Sequence, residues 1–130
     1  MAEPLWLRED VVLAIHRRQL AEHGGSGGLR DPGLLDSALA RPKNLLSYSA
    51  EEPDLALLAA SYAWGLARNH PFVDGNKRTA YVVCRTFLRL NGRDLDAPQE
   101  EKALTFLRLA EGRLTEQELV AWIREHWAGV

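Results

Sequence analysis

The chain has 130 residues, 46% of them hydrophobic, and is long enough to bury about two-thirds of its unfolded surface in one core. A net charge of −2, from 16 basic and 18 acidic residues, argues against bulk nucleic-acid binding and against a polybasic membrane anchor. One cysteine excludes an internal disulfide. With no signal-peptide pattern and no long uncharged apolar run, we expect a single cytoplasmic domain spanning residues 1–130.

The first predicted helix begins near Glu9 and Asp10, whose negative charges suit the positive end of the helix dipole, and it ends at a run of glycines. His16 and His23 lie near its apolar row, and we interpret them as packed or surface imidazoles rather than catalytic groups. The glycine-rich stretch 24–28 is not followed by Gly-Lys-Ser/Thr and follows no strand, so it is not a phosphate loop. We interpret it as a flexible connection.

A second, short helix is predicted to have Asp31 as its N-cap and Pro32 at its first position, and to end at Pro42. Residues 43–53 show no sustained hydrophobic period, so we predict a loop there.

That predicted loop carries three large apolar or aromatic side chains, Leu45, Leu46 and Tyr48. A loop with exposed apolar residues can act as a lid or as a docking edge for a protein target. The alternative is that Leu45 and Leu46 simply fill the core.

The strongest helical patterns lie in the middle of the chain. From Asp54 to about Asn69 an alanine-rich pattern predicts the central helix, because small residues permit close packing. Residues 76–90 have apolar side chains three and four positions apart, and Gly92 follows as a stop signal. Cys84 falls on that apolar face, so we expect a buried core thiol.

Two more helices complete the predicted fold. One runs from about Pro98 to Ala110, and the other opens with a capping box of Thr115 and Glu118. The patterns therefore predict an all-α class, a compact bundle of about six helices, with the loop after Asn69 joining two central helices. In the fifth helix we expect four buried side chains: Ala103, Leu104, Phe106 and Leu107.

Residues 70–80, His-Pro-Phe-Val-Asp-Gly-Asn-Lys-Arg-Thr-Ala, contain a base, an acid and two cations and run directly into the fourth helix. The first amides of a helix attract anions. Lys77 and Arg78 are unfavourable there, by up to about 1 kcal/mol each, unless a polyanion is bound. Asp74 can hold Mg²⁺ that also contacts phosphate oxygens, and His70 can accept a proton from an attacking hydroxyl. The stretch therefore predicts phosphoryl or nucleotidyl transfer.

Each of these residues also has a purely structural explanation: an N-cap for Asp74, a turn for Gly75, solvation for the cations. Those explanations do not account for the combination and its spacing. Our predicted assignments are catalysis by His70, Asp74, Lys77 and Arg78, nucleotide binding by Gly75, Asn76, Lys77 and Arg78, Mg²⁺ binding by Asp74, and support of the loop by Arg68, Asn69 and Phe72, whose ring would insert into the core.

The pattern His70-x-Phe72-x-Asp74-Gly75-Asn76-Lys77-Arg78 resembles the signature of the Fic/Doc superfamily, and its Asn-Lys-Arg-Thr-Ala ending resembles the death-on-curing (Doc) toxin branch. Residues 27–39 and Arg41-Pro42 also resemble that branch, which places the adjoining glycine-rich connection near the active site. Nucleotidyl-transferring Fic enzymes typically have glycine in place of Lys77 and a second arginine in place of Tyr81. A lysine fills space in which a polyphosphate would otherwise lie against bare backbone.

The resemblance implies the toxin of a type II toxin-antitoxin system, with a cognate antitoxin as partner. It implies a protein kinase that uses ATP and Mg²⁺, with ATP reversed so that the γ-phosphate passes to a threonine or serine hydroxyl of translation elongation factor Tu, inhibiting translation. It also implies that a flap corresponding to residues 43–53 aligns the target beside His70. No nucleic acid or membrane partner is expected.

Three alternatives stay open. The first is transfer of AMP to a protein hydroxyl, as in other Fic enzymes. The second is a catalytically silent Fic-like binding module, for which Lys77 and Tyr81 leave room. The third is an RNA-cleaving toxin, which needs a basic face that this composition does not obviously supply.

Overall fold

The computed structural model describes residues 3–129, which contain six α-helices and one pair of short strands. The predicted all-α class is confirmed. In chain order the elements are α1 (Glu9–His23), α2 (Pro32–Tyr48), α3 (Leu55–Asn69), α4 (Asn76–Leu90), β1 (Arg93–Leu95), α5 (Gln99–Ala110), α6 (Glu116–His126) and β2 (Trp127–Gly129). The two strands pair antiparallel, with Leu95 opposite Trp127.

Helix α3 is the centre of the fold and packs against α2, α4, α5 and α6. Its small residues allow close approach: a Cβ atom on Gly65 would lie only 3.3 Å from the Cα atom of Ala38 in α2. Each helix contributes buried apolar side chains to the core, for example Val12, Leu35, Leu58, Phe87, Leu109 and Ile123. Because α3 and α4 both lie in this core, the turn between them has rigid supports on both sides.

Helices α2, α3 and α6 begin with side-chain caps, and those at Asp31 and Thr115 agree with the sequence patterns. The Asp31 and Asp54 side chains accept hydrogen bonds from the amides of Leu34 and Leu57 at the starts of α2 and α3. The capping box of Thr115 and Glu118 opens α6.

Cys84 lies in the core, where burial raises the pKa of its thiol to about 12. The expectation of a core thiol is therefore confirmed. No helix within residues 3–129 combines the length and apolar character needed to span a membrane.

The prediction that the second helix ends at Pro42 was wrong, and so was the loop predicted from residue 43. Helix α2 passes through Pro42 and continues to Tyr48. An interior proline costs about 3 kcal/mol in an isolated helix, but here Pro42 is buried and Leu45, one turn later, packs against the core. Tertiary packing thus stabilises the helix through Pro42, although proline usually ends a helix where such packing is absent.

Of the four side chains predicted to be buried in the fifth helix, only Phe106 is buried. Lys102, Thr105, Phe106 and Leu109 are the buried residues of α5, whereas Ala103, Leu104 and Leu107 are exposed. Apolar residues occur on both sides of this helix, so the sequence leaves its rotation open. The packing of Phe106 sets the rotation of α5, because its ring packs edge-on against Tyr81 of α4 and Trp122 of α6.

The rotation of α5 can be tested with one chemical change at two positions. Leu109 is 1% exposed and Leu104 is 46% exposed. We expect Leu109→Ala to lower the free energy of unfolding by about 2–5 kcal/mol, because it opens a cavity in the core. Leu104→Ala should lower it by about 0.5 kcal/mol or less. Urea unfolding followed by circular dichroism measures both values, and equal losses would contradict the observed rotation.

Candidate active site

The turn between α3 and α4, residues 70–75, begins with a strained backbone. His70 is the C-terminal cap of α3 and has φ of 48°, the only positive φ of a non-glycine residue among residues 3–129. Left-handed backbone of this kind costs a side-chain-bearing residue about 1–2 kcal/mol and persists only where surrounding contacts hold it. The structure therefore has to supply contacts that fix His70.

Asn76, the first residue of α4, clamps the turn from inside. Its side-chain amide donates to the Phe72 carbonyl at 2.9 Å, and its oxygen accepts from the Phe72 amide at 3.0 Å. Both polar atoms of this buried side chain are thus engaged with backbone. Within residues 3–129 this leaves the backbone amide of Asn76, rather than its side chain, available for the nucleotide binding predicted from the sequence.

Phe72 and His16 hold the turn from the side of α1. The Phe72 ring is 2% exposed, in line with the predicted insertion into the core, and it stacks on His16 with centroids 3.7 Å apart and planes 8° apart. The His16 Nε2 atom lies 2.7 Å from the Asp74 carbonyl oxygen, so Nε2 is the protonated nitrogen that donates. His16 is a packed imidazole, as the sequence indicated, but its structural contact with the turn was missed.

The glycine-rich connection covers the turn from outside. The amide of Val73 donates to the Gly28 carbonyl at 3.1 Å, and the Ser26 amide donates to Asp74 Oδ2 at 3.3 Å. A Cβ atom on Gly25 would lie 2.8 Å from that same Oδ2, and Gly25 has φ of 122°, so glycine is required for this close approach. The expectation that this segment lies near the site is confirmed.

Arg30 is a residue of the site that the sequence analysis missed. Its Nε donates to the His70 carbonyl at 2.7 Å and its Nη2 donates to the Asn69 carbonyl at 2.8 Å. Its backbone amide also donates to the Pro71 carbonyl at 2.7 Å. Arg30 thereby satisfies the last carbonyls of α3 and fixes the strained residue. The available signal was an unexplained arginine directly before the N-cap Asp31.

The two predicted supporting residues before His70 differ in their contacts. The Asn69 side chain donates to the Leu34 carbonyl of α2 at 2.9 Å and so ties the end of α3 to its neighbour. The Arg68 guanidinium instead lies over the Trp64 ring, 5.1 Å from its centroid. Arg68 therefore packs along α3, and the turn-orienting role expected of it is not what its contacts show.

The turn opens into a cavity of about 330 Å³, which we call the turn cavity. It is lined by residues 70–78 apart from Pro71 and Phe72: His70, Val73, Asp74, Gly75, Asn76, Lys77 and Arg78. It brings together every residue to which the sequence assigned catalysis or nucleotide binding. Helix α4 has Gly75 as its N-cap and no side-chain cap, so its first amides are open to a ligand.

The charges around the turn cavity are unbalanced. Lys77 and Arg78 are both exposed, and within residues 3–129 neither forms an ion pair or side-chain hydrogen bond. Two cations therefore add to the positive end of the α4 dipole, and within residues 3–129 neither is paired with a carboxylate. Electrostatically, this arrangement favours an anion with several charges.

Asp74 is the one carboxylate that lines the turn cavity. It is exposed and accepts from the Gly75 amide at 3.0 Å in addition to the Ser26 amide. No group of three or more histidine, cysteine or acidic residues able to hold a metal occurs in the described part of the chain. Magnesium in proteins takes one or two carboxylates and completes its shell with substrate phosphates and water. The donor set thus fits Mg²⁺ that arrives with a polyphosphate.

Leu45, Leu46 and Tyr48, predicted as a docking loop, lie in the last turns of α2 instead. None of them lines the turn cavity. Tyr48 is 85% exposed and, with Leu45, borders a separate hollow of about 360 Å³.

A sequence model of the Fic/DOC family matches residues 6–88, which include α1 to α3, the turn and most of α4. The chain belongs to the Fic/DOC family. Toxin Doc of Mycolicibacterium smegmatis is 46% identical over 90 residues, which cover 69% of this chain and 66% of that protein, slightly less than two-thirds of its length. Protein kinase doc of Escherichia phage P1 is 36% identical over 91 residues, which cover 69% of this chain and 71% of that one.

The support that Arg30 gives to this Fic/DOC turn is measurable. Replacing Arg30 with methionine keeps the aliphatic stem but removes both side-chain donors to the α3 carbonyls. We expect the free energy of unfolding to fall by about 1–2 kcal/mol. Arg17→Met is the matched control, because Arg17 is exposed and has no partner within residues 3–129. Urea unfolding compares the two, and an R30M protein as stable as R17M would exclude this role.

Proposed function

We propose that this chain is the toxin of a type II toxin-antitoxin system and an ATP-dependent protein kinase that phosphorylates a threonine or serine hydroxyl of translation elongation factor Tu, thereby inhibiting translation. The observation that carries the proposal is the turn cavity, where an uncapped helix N-terminus and two unpaired cations adjoin one acid and one imidazole. The names of the two relatives, a Doc toxin and a Doc protein kinase, support the toxin and kinase assignments.

The phosphate end of ATP would lie at the start of α4. Backbone amides of residues 76–78 point toward the bound anion, and Lys77 and Arg78 stabilise the charge that develops on the transferred group. Asp74 would hold Mg²⁺, which when bound neutralises part of the phosphate charge. The contacts of His16 and Asn76 keep this arrangement rigid before substrate arrives.

His70 is the general base in this proposal. The acceptor hydroxyl oxygen forms a bond to the γ-phosphorus while the bond to the oxygen bridging the β- and γ-phosphates breaks, and ADP leaves with that oxygen. The imidazole of His70 takes the hydroxyl proton. Its side chain borders the same cavity as the cations, and Arg30 fixes its backbone. Positioned bases of this type contribute about 10²–10⁴-fold to a rate.

Lys77 supports phosphoryl rather than AMP transfer. Its side chain borders the turn cavity at the position where nucleotidyl-transferring Fic enzymes typically have glycine. A bulky charged side chain there keeps the α-phosphate from lying against bare backbone, whereas a terminal phosphate can still be held by the ammonium. Transfer of AMP to a protein hydroxyl is the second candidate, and a silent Fic-like binding module is the third.

The same proposal implies two protein partners. A cognate antitoxin would neutralise the toxin, and elongation factor Tu, a cytoplasmic protein, would be the substrate. The C-terminal end of α2, with the exposed ring of Tyr48, is our proposed docking edge for the target, as a helical surface rather than a loop.

Labelled nucleotides distinguish the candidate reactions. Purified protein is incubated with elongation factor Tu, Mg²⁺ and ATP labelled at either the α- or the γ-phosphate, and the modified factor is then mapped by mass spectrometry. We expect label from the γ position only, on one threonine or serine. Label from the α position would establish AMP transfer instead. Absence of both labels, together with absence of growth arrest on expression, would favour the silent module.

Loss of the base should abolish transfer without loss of fold. We expect His70→Ala to reduce γ-phosphate transfer by about 10²-fold or more. Because alanine is strained at the left-handed backbone of residue 70, His70→Asn serves as a second variant, since asparagine tolerates that conformation. Both should retain the helical circular dichroism signal and bind Mg²⁺-ATP within about threefold of the parent protein. Full transfer by His70→Asn would remove the general-base assignment.

A further inference from the structure

A second cavity of about 360 Å³ lies beside the turn cavity, between α1, α4 and α5. We call it the α4–α5 cavity. The residues that matter here are Gln19 of α1, Tyr81 of α4, and Lys102, Ala103 and Phe106 of α5. Its volume is within the range of about 300–1,000 Å³ that is usual for small-molecule sites. Helices α5 and α6 lie beyond residues 6–88, which the family model matches. The part of the cavity wall that α5 forms therefore lies outside that match.

Two polar side chains of the cavity wall are largely covered by the protein and lack protein partners. Gln19 is 7% exposed and Lys102 is 9% exposed. Within residues 3–129, neither the amide of Gln19 nor the ammonium of Lys102 forms a hydrogen bond or an ion pair. The polar ends of both side chains remain accessible from the cavity, since the fully buried side-chain polar atom without a partner in this part of the chain is Thr79 Oγ1. Donors and an acceptor are therefore available to a ligand inside this cavity.

The cavity also has an aromatic side. The rings of Tyr81 and Phe106 pack edge to face, with centroids 5.0 Å apart and planes 72° apart. Next to them Ala103 contributes only a methyl group, which leaves room in front of the rings. A flat heteroaromatic base would find apolar contact here and hydrogen-bond partners in Gln19 and Lys102.

Lys77 and Arg78 border both cavities. One ligand can therefore place its phosphates at the amino end of α4 and extend past these two cations into the α4–α5 cavity. A nucleotide has this composition: a polyanionic end, a ribose rich in hydroxyls and an aromatic base.

We propose that the α4–α5 cavity binds the nucleoside end of the nucleotide whose terminal phosphates lie in the turn cavity. This inference rests on the proposed function and specifies the direction in which the nucleotide lies. Lys102 and Gln19 form hydrogen bonds with the ribose and the edge of the base. The Tyr81 and Phe106 rings contact the face of the base. An acidic protein segment is the competing occupant, but an amide beside an aromatic wall suits a nucleoside better than a chain of carboxylates.

Filling the cavity tests the proposal. Ala103→Trp places a large side chain in it, and because Ala103 is exposed the core is unaffected. Leu104→Trp is the matched control, since Leu104 is exposed on the same helix but does not line this cavity. The probes are ATP and inorganic tripolyphosphate, each with Mg²⁺, and calorimetry measures both dissociation constants.

The parent protein should bind ATP at least about tenfold more tightly than tripolyphosphate, because only ATP has a nucleoside. We expect Ala103→Trp to weaken ATP binding by about tenfold or more while leaving tripolyphosphate within about twofold, and Leu104→Trp to leave both within about twofold. Lys102→Met, which keeps the stem and removes the charge, should weaken ATP by about three- to tenfold and tripolyphosphate by less than about twofold.

The outcomes separate this inference from the proposed function. If Ala103→Trp and Lys102→Met bind ATP like the parent protein, the cavity holds only solvent and the inference is overturned while the nucleotide site at the turn stands. The inference is also overturned if Ala103→Trp weakens the binding of ATP and of tripolyphosphate equally. A parent protein that binds neither probe would instead refute the nucleotide site, and the inference with it.

Discussion

The turn between α3 and α4 depends on hydrogen bonds to its own backbone from three directions. Asn76 holds Phe72 from inside, His16 holds the Asp74 carbonyl from α1, and Arg30 holds the His70 carbonyl from the segment before α2. The left-handed backbone of His70 is unfavourable by itself, so these contacts maintain it. Because the three contacts come from separate parts of the chain, the site forms only when α1, α2 and α4 have packed around α3.

The same packing leaves positive charge uncompensated where a ligand can reach it. Several hydrogen bonds hold the backbone of the turn, yet within residues 3–129 neither Lys77 nor Arg78 forms an ion pair. At the positive end of α4 this arrangement is unfavourable without a ligand and favourable with one. Rigid backbone and unpaired cations together are what a phosphate site requires, since charge stabilisation is most effective when its donors need no rearrangement.

Helix α4 connects this site with the rest of the molecule. One side of it packs on α3 in the core, its first turn borders the turn cavity, and its exposed side borders the α4–α5 cavity. Lys77 and Tyr81 both face the α4–α5 cavity. They occupy the positions where nucleotidyl-transferring Fic enzymes typically have glycine and a second arginine. In the nucleotide site proposed above, both residues lie where they can alter how the nucleotide is oriented.

The sequence by itself determined the helical class, the bounds of α3 and α4 and the composition of the motif. Those features are local: hydrophobic spacing, the cap at Asp31, and chemistry concentrated in residues 70–80. Only the tertiary structure decided that α2 passes Pro42, because burial outweighed the local cost of proline. It also decided the rotation of α5 and the contacts of His16 and Arg30, since these join residues that are distant in the chain. Local patterns record which side chains prefer to be buried, whereas the partner of each side chain is set by packing.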